Sequence, residues 1–142
     1  VALYQCREVM EGLGARLCAR HATPEQVAEL KELCKEMHAI EDATARVEVN
    51  SRFHSMIAQF SGNDRVVDYL ADFRERVNRD MYLSSFNAVR THDCDDEHDH
   101  IVDAIERHDE VAAENAMRKH INNAFIFKRA NAELQDKNLN EV

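Results

Sequence analysis

Apolar residues recur along almost the whole chain at intervals of three and four, the repeat of one face of an α-helix. Residues 2–20 carry Leu3, Met10, Leu17 and Cys18 at this spacing, with Gly14 as the weak point. Ala22-Thr23-Pro24-Glu25 is a helix start: Thr23 as N-cap, Pro24 at the first helical position, Gln26 three residues past the cap. The helix it opens runs to about residue 41, striped by Val27, Leu30, Leu33, Cys34 and Met37. A third is predicted over 45–60, with Val47, Phe53, Ile57 and Phe60 apolar. Ser61-Gly62-Asn63 ends it and caps the next. The fourth is predicted over 64–86, with Val66, Val67, Leu70, Phe73, Val77 and Met81 on its stripe. A polar loop is expected over 87–94, then a fifth helix over 95–107 and a sixth over 110–135, with 136–142 as a polar, frayed tail. Only His108-Asp109-Glu110 separates the last two helices, so they form an antiparallel hairpin. The pattern predicts an all-α fold: an antiparallel bundle of about six helices in one domain, residues 1–142, with no linker and no repeat.

Composition sharpens this picture. Three glycines and one proline in 142 residues leave too few turn residues for an all-β fold. A hydrophobic share of 44% argues against disorder. The net charge of −9 has the wrong sign for binding DNA or an anionic membrane, and no Lys/Arg block reverses it. No apolar run approaches the length of a membrane-spanning helix, and no signal-peptide pattern is present. Cys6, Cys18, Cys34 and Cys94 are scattered without a CxxC motif, and they read as reduced thiols of a cytoplasmic protein. The chain begins at Val1 rather than Met, which reads as a piece of a longer protein.

The eight histidines separate by helix face. His54 shares a stripe with Val47, Asn50 and Ile57; His98 with Ile101, Val102 and Ile105; His120 with Ala113, Met117, Ala124 and Phe127. His100 lines up with Asp103 and Arg107 on the wet side, His92 and His108 fall in loops, His21 at a helix end, and His38 at the edge of its stripe. His98 and His120 each lie 11 residues from Asp109 at the hairpin turn, so their inward faces meet. Asn50 and His54 are one turn apart and project together. Packing the third helix on the hairpin assembles Asn50, His54, His98 and His120 in one pocket. Three imidazoles and one oxygen donor suit a divalent metal, Zn²⁺ first, with Ni²⁺ and Cu²⁺ close and Mn²⁺ and Fe²⁺ held less tightly. The bland alternative is three hydrogen-bonded core histidines.

Arg7 lies on the stripe of Leu3, Met10, Gly14 and Leu17, and a buried arginine needs an anion. That anion is either Glu11, one turn on, or the carboxylate of a ligand. Gly12 and Gly14 on the same helix allow a neighbour or ligand to come close. Asn123, one turn after His120, can add a hydrogen bond to a ligand.

Several motifs stand in the order of a known family. Arg7-Glu8-Val9-Met10-Glu11 looks like R-x-x-[apolar]-E, Asn50-Ser51-Arg52-Phe53-His54 like D-x-x-F-H, and Ser61-Gly62-Asn63 like the S-G-N that follows. Glu97-His98-Asp99-His100-Ile101 opens an E-H-x-x-I-x-x-A-[apolar] segment, and Arg107-His108-Asp109 with Met117-Arg118-Lys119-His120-Ile121 closes the pattern. The chain resembles the FCD domain, the effector-binding C-terminal domain of bacterial FadR-type regulators in the GntR family. The resemblance implies metal ligands at Asn50, His54, His98 and His120, with Asn50 standing where the family more often has Asp. An Asn/His₃ set is uncharged, so the metal keeps its full positive charge and attracts an anionic ligand. The resemblance further implies homodimerisation and an N-terminal winged-helix DNA-binding domain that this chain does not contain. DNA is then a partner only through that missing domain.

The reading that follows is a sensor, not an enzyme: a divalent metal and a small organic acid effector, with Arg7 taking a ligand oxygen. Its rivals are a metal-dependent helical-bundle enzyme and a dimerisation domain stiffened by a structural metal. Against the enzyme, the paired E-x-x-H motifs of di-metal bundles are absent, and Glu97 is expected to face away from the histidines.

Overall fold

The computed structural model describes residues 2–73 and 88–140, with no strand among them. The helices are α1 (Ala2–His21), α2 (Pro24–Ala39), α3 (Ala43–Phe60), α4 (64–73), α5 (Ala88–Glu106) and α6 (Glu110–Asn140). The predicted continuation of the fourth helix over 74–86, with Val77 and Met81, lies outside the described residues.

The caps explain the boundaries. Thr23 Oγ1 accepts from Gln26 N at 3.2 Å, and Gln26 Oε1 accepts from Thr23 N at 3.0 Å, closing the predicted capping box. Asp42 Oδ2 accepts from Ala45 N at 2.8 Å, which starts α3 two residues earlier than predicted. Gly62 takes φ +67° between α3 and α4, and Asn63 Oδ1 accepts from Arg65 N at 3.0 Å to open α4. In the hairpin turn His108 has φ +55°, and its Nδ1 lies 2.7 Å from the carbonyl oxygen of Ala19.

Two expectations need correction. Residues 88–94 are not a loop: α5 already runs through them, and His92 is a helical residue. Nothing in 88–94 breaks a helix, since the segment holds neither glycine nor proline. Likewise α6 continues through the predicted frayed tail to Asn140.

The core joins α1, α2, α3, α5 and α6, with Leu30, Met37, Phe53, Ile57, Ile101, Ile105, Met117 and Ile121 all fully buried. Each such side chain contributes roughly 1.5–3 kcal/mol. α1 buries part of the predicted stripe, Arg7, Gly14 and Cys18, and adds Glu11, Gly12, Ala15 and Ala19 to it, while Met10 and Leu17 are only partly buried. Leu3 is exposed, while Met10 and Leu13 pack on a smaller cluster of Ala58, Val66 and Leu70. Small residues let α1 lie close to α6. A Cβ on Gly12 would stand 2.6 Å from Arg118 Cγ, so the close neighbour that Gly12 admits is Arg118.

Cross-links set the helix directions. Arg20 is paired with Glu110, Arg16 with Glu114 and Arg118 with Glu8, so α1 and α6 run antiparallel. Lys31 pairs with Glu106 and His38 with Asp99, so α2 and α5 do too. Glu11 meets His54 and Gly14 lies against Ala58, so α1 and α3 run parallel. Arg46 fastens the α2–α3 connection to α5: it donates to Asp95 Oδ1 at 2.6 Å and to the carbonyl oxygen of Ile40 at 3.1 Å.

Candidate metal centre

Three helices bring their histidines to one point. His54 of α3, His98 of α5 and His120 of α6 are all buried. His98 Nε2 is 3.2 Å from His120 Nε2, and His120 Nε2 is 3.3 Å from His54 Nε2. The hairpin register predicted the first of these contacts. Phe53 packs against His98, with ring centroids 4.5 Å apart.

Behind two of the rings stand carboxylates. His54 Nδ1 donates to Glu11 Oε2 at 3.0 Å, and His120 Nδ1 donates to Glu97 Oε2 at 2.6 Å. A carboxylate only accepts, so each bond fixes the tautomer with its proton on Nδ1. Two bare Nε2 lone pairs then face each other at 3.3 Å. A cation between them removes that repulsion.

Glu11 is held by more than His54. Arg7 Nε donates to Glu11 Oε1 at 3.3 Å, and both side chains are buried. Burial alone pushes the Glu11 carboxyl up, but His54 and Arg7 more than offset it and bring it down to about 2. It is therefore ionised at neutral pH. Among the described residues only Nε of the Arg7 guanidinium has a hydrogen-bond partner.

The donor geometry fits a metal. At a metal–nitrogen bond of about 2.0–2.1 Å, the edge of a tetrahedron is about 3.3 Å. The observed 3.2 and 3.3 Å separations match that edge. Imidazole donors backed by carboxylates are the usual chemistry of such sites.

The remaining sequence-predicted residues stand as follows. Asn50 is buried one turn before His54 on the same face of α3. Asn123 spends its amide on Glu97, with Nδ2 donating to Oε1 at 2.7 Å. It also lines a cleft of about 680 Å³ between α5 and α6, beside Asp96, Glu97, Lys119 and Phe127. Glu97 corrects an expectation: it does not face away but reaches over to the ring of His120. Glu11 was seen in sequence only as a partner for Arg7, and its contact with His54 carried no local signal. None of the four cysteines is in a disulfide.

Known proteins share this architecture. The E. coli McbR/YncC structure superposes with a TM-score of 0.76 at 15% identity, covering 89% of this chain and 66% of that one. A Streptococcus agalactiae GntR structure gives a TM-score of 0.65 at 28% identity, covering 90% of this chain and 57% of that one. Among curated proteins, the HTH-type transcriptional repressor NanR of Escherichia coli K12 is 32% identical over 126 residues, 83% of this chain and 46% of the relative. The chain thus spans about half the length of the curated relatives it matches. No helix among the described residues is long and apolar enough to cross a membrane. The FCD domain matches residues 2–123, and the chain belongs to the FCD domain family.

Proposed function

We propose that this domain senses a small organic acid through a bound divalent metal and belongs to a GntR-family transcription regulator rather than to an enzyme. The observation that carries the reading is the convergence of three buried imidazole nitrogens, two of them backed by carboxylates. The match to NanR, a transcriptional repressor by name, supports the regulatory half of the reading. DNA binding belongs to sequence outside these 142 residues, consistent with the net charge of −9.

His54, His98 and His120 hold the metal, with Asn50 as a neutral oxygen donor. Zn²⁺ suits this donor set best, and Ni²⁺, Mn²⁺ and Fe²⁺ are its competitors. When bound, the metal supplies a positive, Lewis-acidic position for a carboxylate oxygen. Arg7 is the second anchor: it is buried, and its terminal nitrogens are left over from the bond to Glu11. Asn123 serves the site through Glu97, because its amide is already committed there. A ligand bridging the metal and Arg7 touches α1 as well as α3, α5 and α6. It thereby biases how those helices pack, and differential affinity for two packings is what allostery requires. The domain works as a homodimer in the cytoplasm.

Metal content of the purified domain tests this reading, comparing the wild type with His98→Ala/His120→Ala. About one equivalent of metal is expected in the wild type and none in the double variant. A wild type that stays metal-free after reconstitution with Zn²⁺ and Ni²⁺ overturns the site. Thermal unfolding of the loaded domain with a panel of hydroxy and sugar acids tests the sensor. Stabilisation by one class of acid is expected; no response to any acid favours a purely structural metal.

A further inference from the structure

α6 outruns the helices packed on it, with 31 residues against 20 in α1 and 19 in α5. Near the first turn of α1, Tyr4 packs against Phe125 and its hydroxyl accepts from Lys128 Nζ at 3.1 Å. Past that level Arg129, Ala130, Ala132, Glu133, Leu134 and Lys137 are all exposed. Asn123, Phe127, Ala130, Leu134 and Lys137 follow one another at intervals of four, three, four and three. That is the spacing of a helix-pairing seam. Most of it lies outside the FCD match, which ends at residue 123.

The first half of this seam forms one wall of the cleft between α5 and α6. The α6 wall is apolar, with Ile126, Phe127 and Ala130, and the α5 wall is acidic, with Asp93, Asp96 and Glu97. Lys119 also lines the cleft, farther along α6 toward the hairpin turn. Ile126 is 57% exposed and Leu134 is 58% exposed, so an apolar contact surface is open on both halves of the seam. The two halves are complementary: one offers apolar side chains beside acids, the other an apolar side chain followed by a lysine.

We propose that the cleft between α5 and α6 seats the end of α6 from a second copy of this chain, the two α6 helices crossing antiparallel at Ala130. The proposal rests on the reading of the domain as a homodimer and names the face through which it pairs. In a two-fold pairing each residue meets the one equally far on the other side of the axis. With the axis at Ala130, Leu134 lies on Ile126 of the second copy, and Lys137 lies over its Asn123. Asn123 is bonded to Glu97, so Lys137 arrives at the acidic wall. Such matching of charge fixes register and partner. Alanine at the crossing point lets the helix axes come close, because the side chains at the contact set that distance. Glu97 and Asn123 also serve the ring of His120, so pairing covers the outer side of the metal centre.

Sedimentation velocity over a concentration series compares the full 142-residue chain with Leu134→Glu. Leu134 is exposed in the single copy, so helical content should not change. The variant's dimer should be weaker by about tenfold or more, the cost of setting a charge in an apolar seat next to acids. A second measurement does not depend on that variant. Ala130→Cys and Val111→Cys are each placed in a Cys6→Ser background, which removes the exposed native thiol. Val111 is 56% exposed at the other end of α6 and serves as the control. On mild oxidation Ala130→Cys should form a disulfide-linked dimer about tenfold faster than the control, because only thiols held within bonding distance join readily. A dimer that Leu134→Glu leaves intact, or cross-linking no faster at position 130 than at 111, overturns the proposal and leaves a homodimer that pairs through another face. A wild type that stays monomeric at every concentration overturns both.

Discussion

α5 contributes to two groups of histidine and carboxylate that share their chemistry and differ in setting. The inner group has His54, His98 and His120 with Glu11 and Glu97. The outer group has His38 of α2 with Asp95, Asp96 and Asp99 of α5. In the inner group the carboxylates take the Nδ1 protons, so Nε2 lone pairs point at one another. In the outer group both nitrogens of His38 face carboxylates: Nε2 is 2.8 Å from Asp99 Oδ2 and Nδ1 is 3.9 Å from Asp95 Oδ2. No nitrogen of His38 is left to point elsewhere. Its side chain is 39% exposed, and that of Asp99 is 44% exposed. Water competes there for every bond. Residue type alone does not separate the two groups; the side of each ring that meets a carboxylate does, together with burial.

The sharpest way to break this contrast is to remove Glu11. Glu11→Ala leaves Arg7 buried and unpaired and His54 without its anchor. Breaking a buried pair on one side costs about 3–5 kcal/mol. Urea unfolding of the metal-free domain should show a loss of that size. A variant within about 1 kcal/mol of the wild type would show that Arg7 finds solvent and the pair contributes little. The same residue predicts an acid limb. Its carboxyl falls from an ordinary 4.5 to about 2 in the fold, so its stabilisation is present above 4.5 and is lost as pH drops toward 2. Glu11→Gln should lack that part of the pH profile.

Glu97 comes next. Its side chain is half-buried between His120 and Asn123, so it can be changed with less harm to the fold. Replacing a carboxylate behind a metal-binding histidine typically costs about 10–100-fold in metal affinity. Glu97→Gln should fall in that range by competition with a chromogenic chelator, with helical content unchanged. His38→Ala should leave the affinity where it was. Equal affinities for Glu97→Gln and wild type would mean that Glu97 does not orient the ring.

How far these groups were legible in sequence follows from what fixes each contact. His98 and His120 could be paired in advance because a break of only three residues sets the register of α5 on α6. Glu97 could not, although it neighbours His98. Its position on the helical wheel points off the core face, and only the facing helix decides whether a long side chain folds back. Glu11–His54 and Arg46–Asp95 lie farther beyond reach, since 43 and 49 residues separate the partners and no short turn links them. Half of the buried stripe of α1 escapes the apolar pattern for a related reason. Gly12, Ala15 and Ala19 count little on a hydrophobic pattern, yet close helix contact selects them. The first turns of α5 carry no apolar stripe of their own, so a mostly polar stretch resembles a loop although nothing in it interrupts a helix.

The smallest expected effect belongs to the outer group. Its hydrogen bond to Asp99, together with the charges of Asp99, Asp95 and Asp96, raises the His38 pKa above its ordinary 6.5, against a smaller opposing effect of burial. A histidine whose pKa is raised by folding stabilises fully while protonated in both states, below 6.5, and the gain fades as pH rises through the raised value. Exposure and salt screen the pair, so the gain is at most about 0.5 kcal/mol. His38→Ala should therefore melt slightly below the wild type in acidic buffer of low ionic strength. The two curves should merge in mildly alkaline buffer or in high salt. A difference that persists unchanged at alkaline pH would mean that His38 acts through packing on α5 rather than through charge. One that reaches the size of the Glu11 effect would erase the distinction between the two groups.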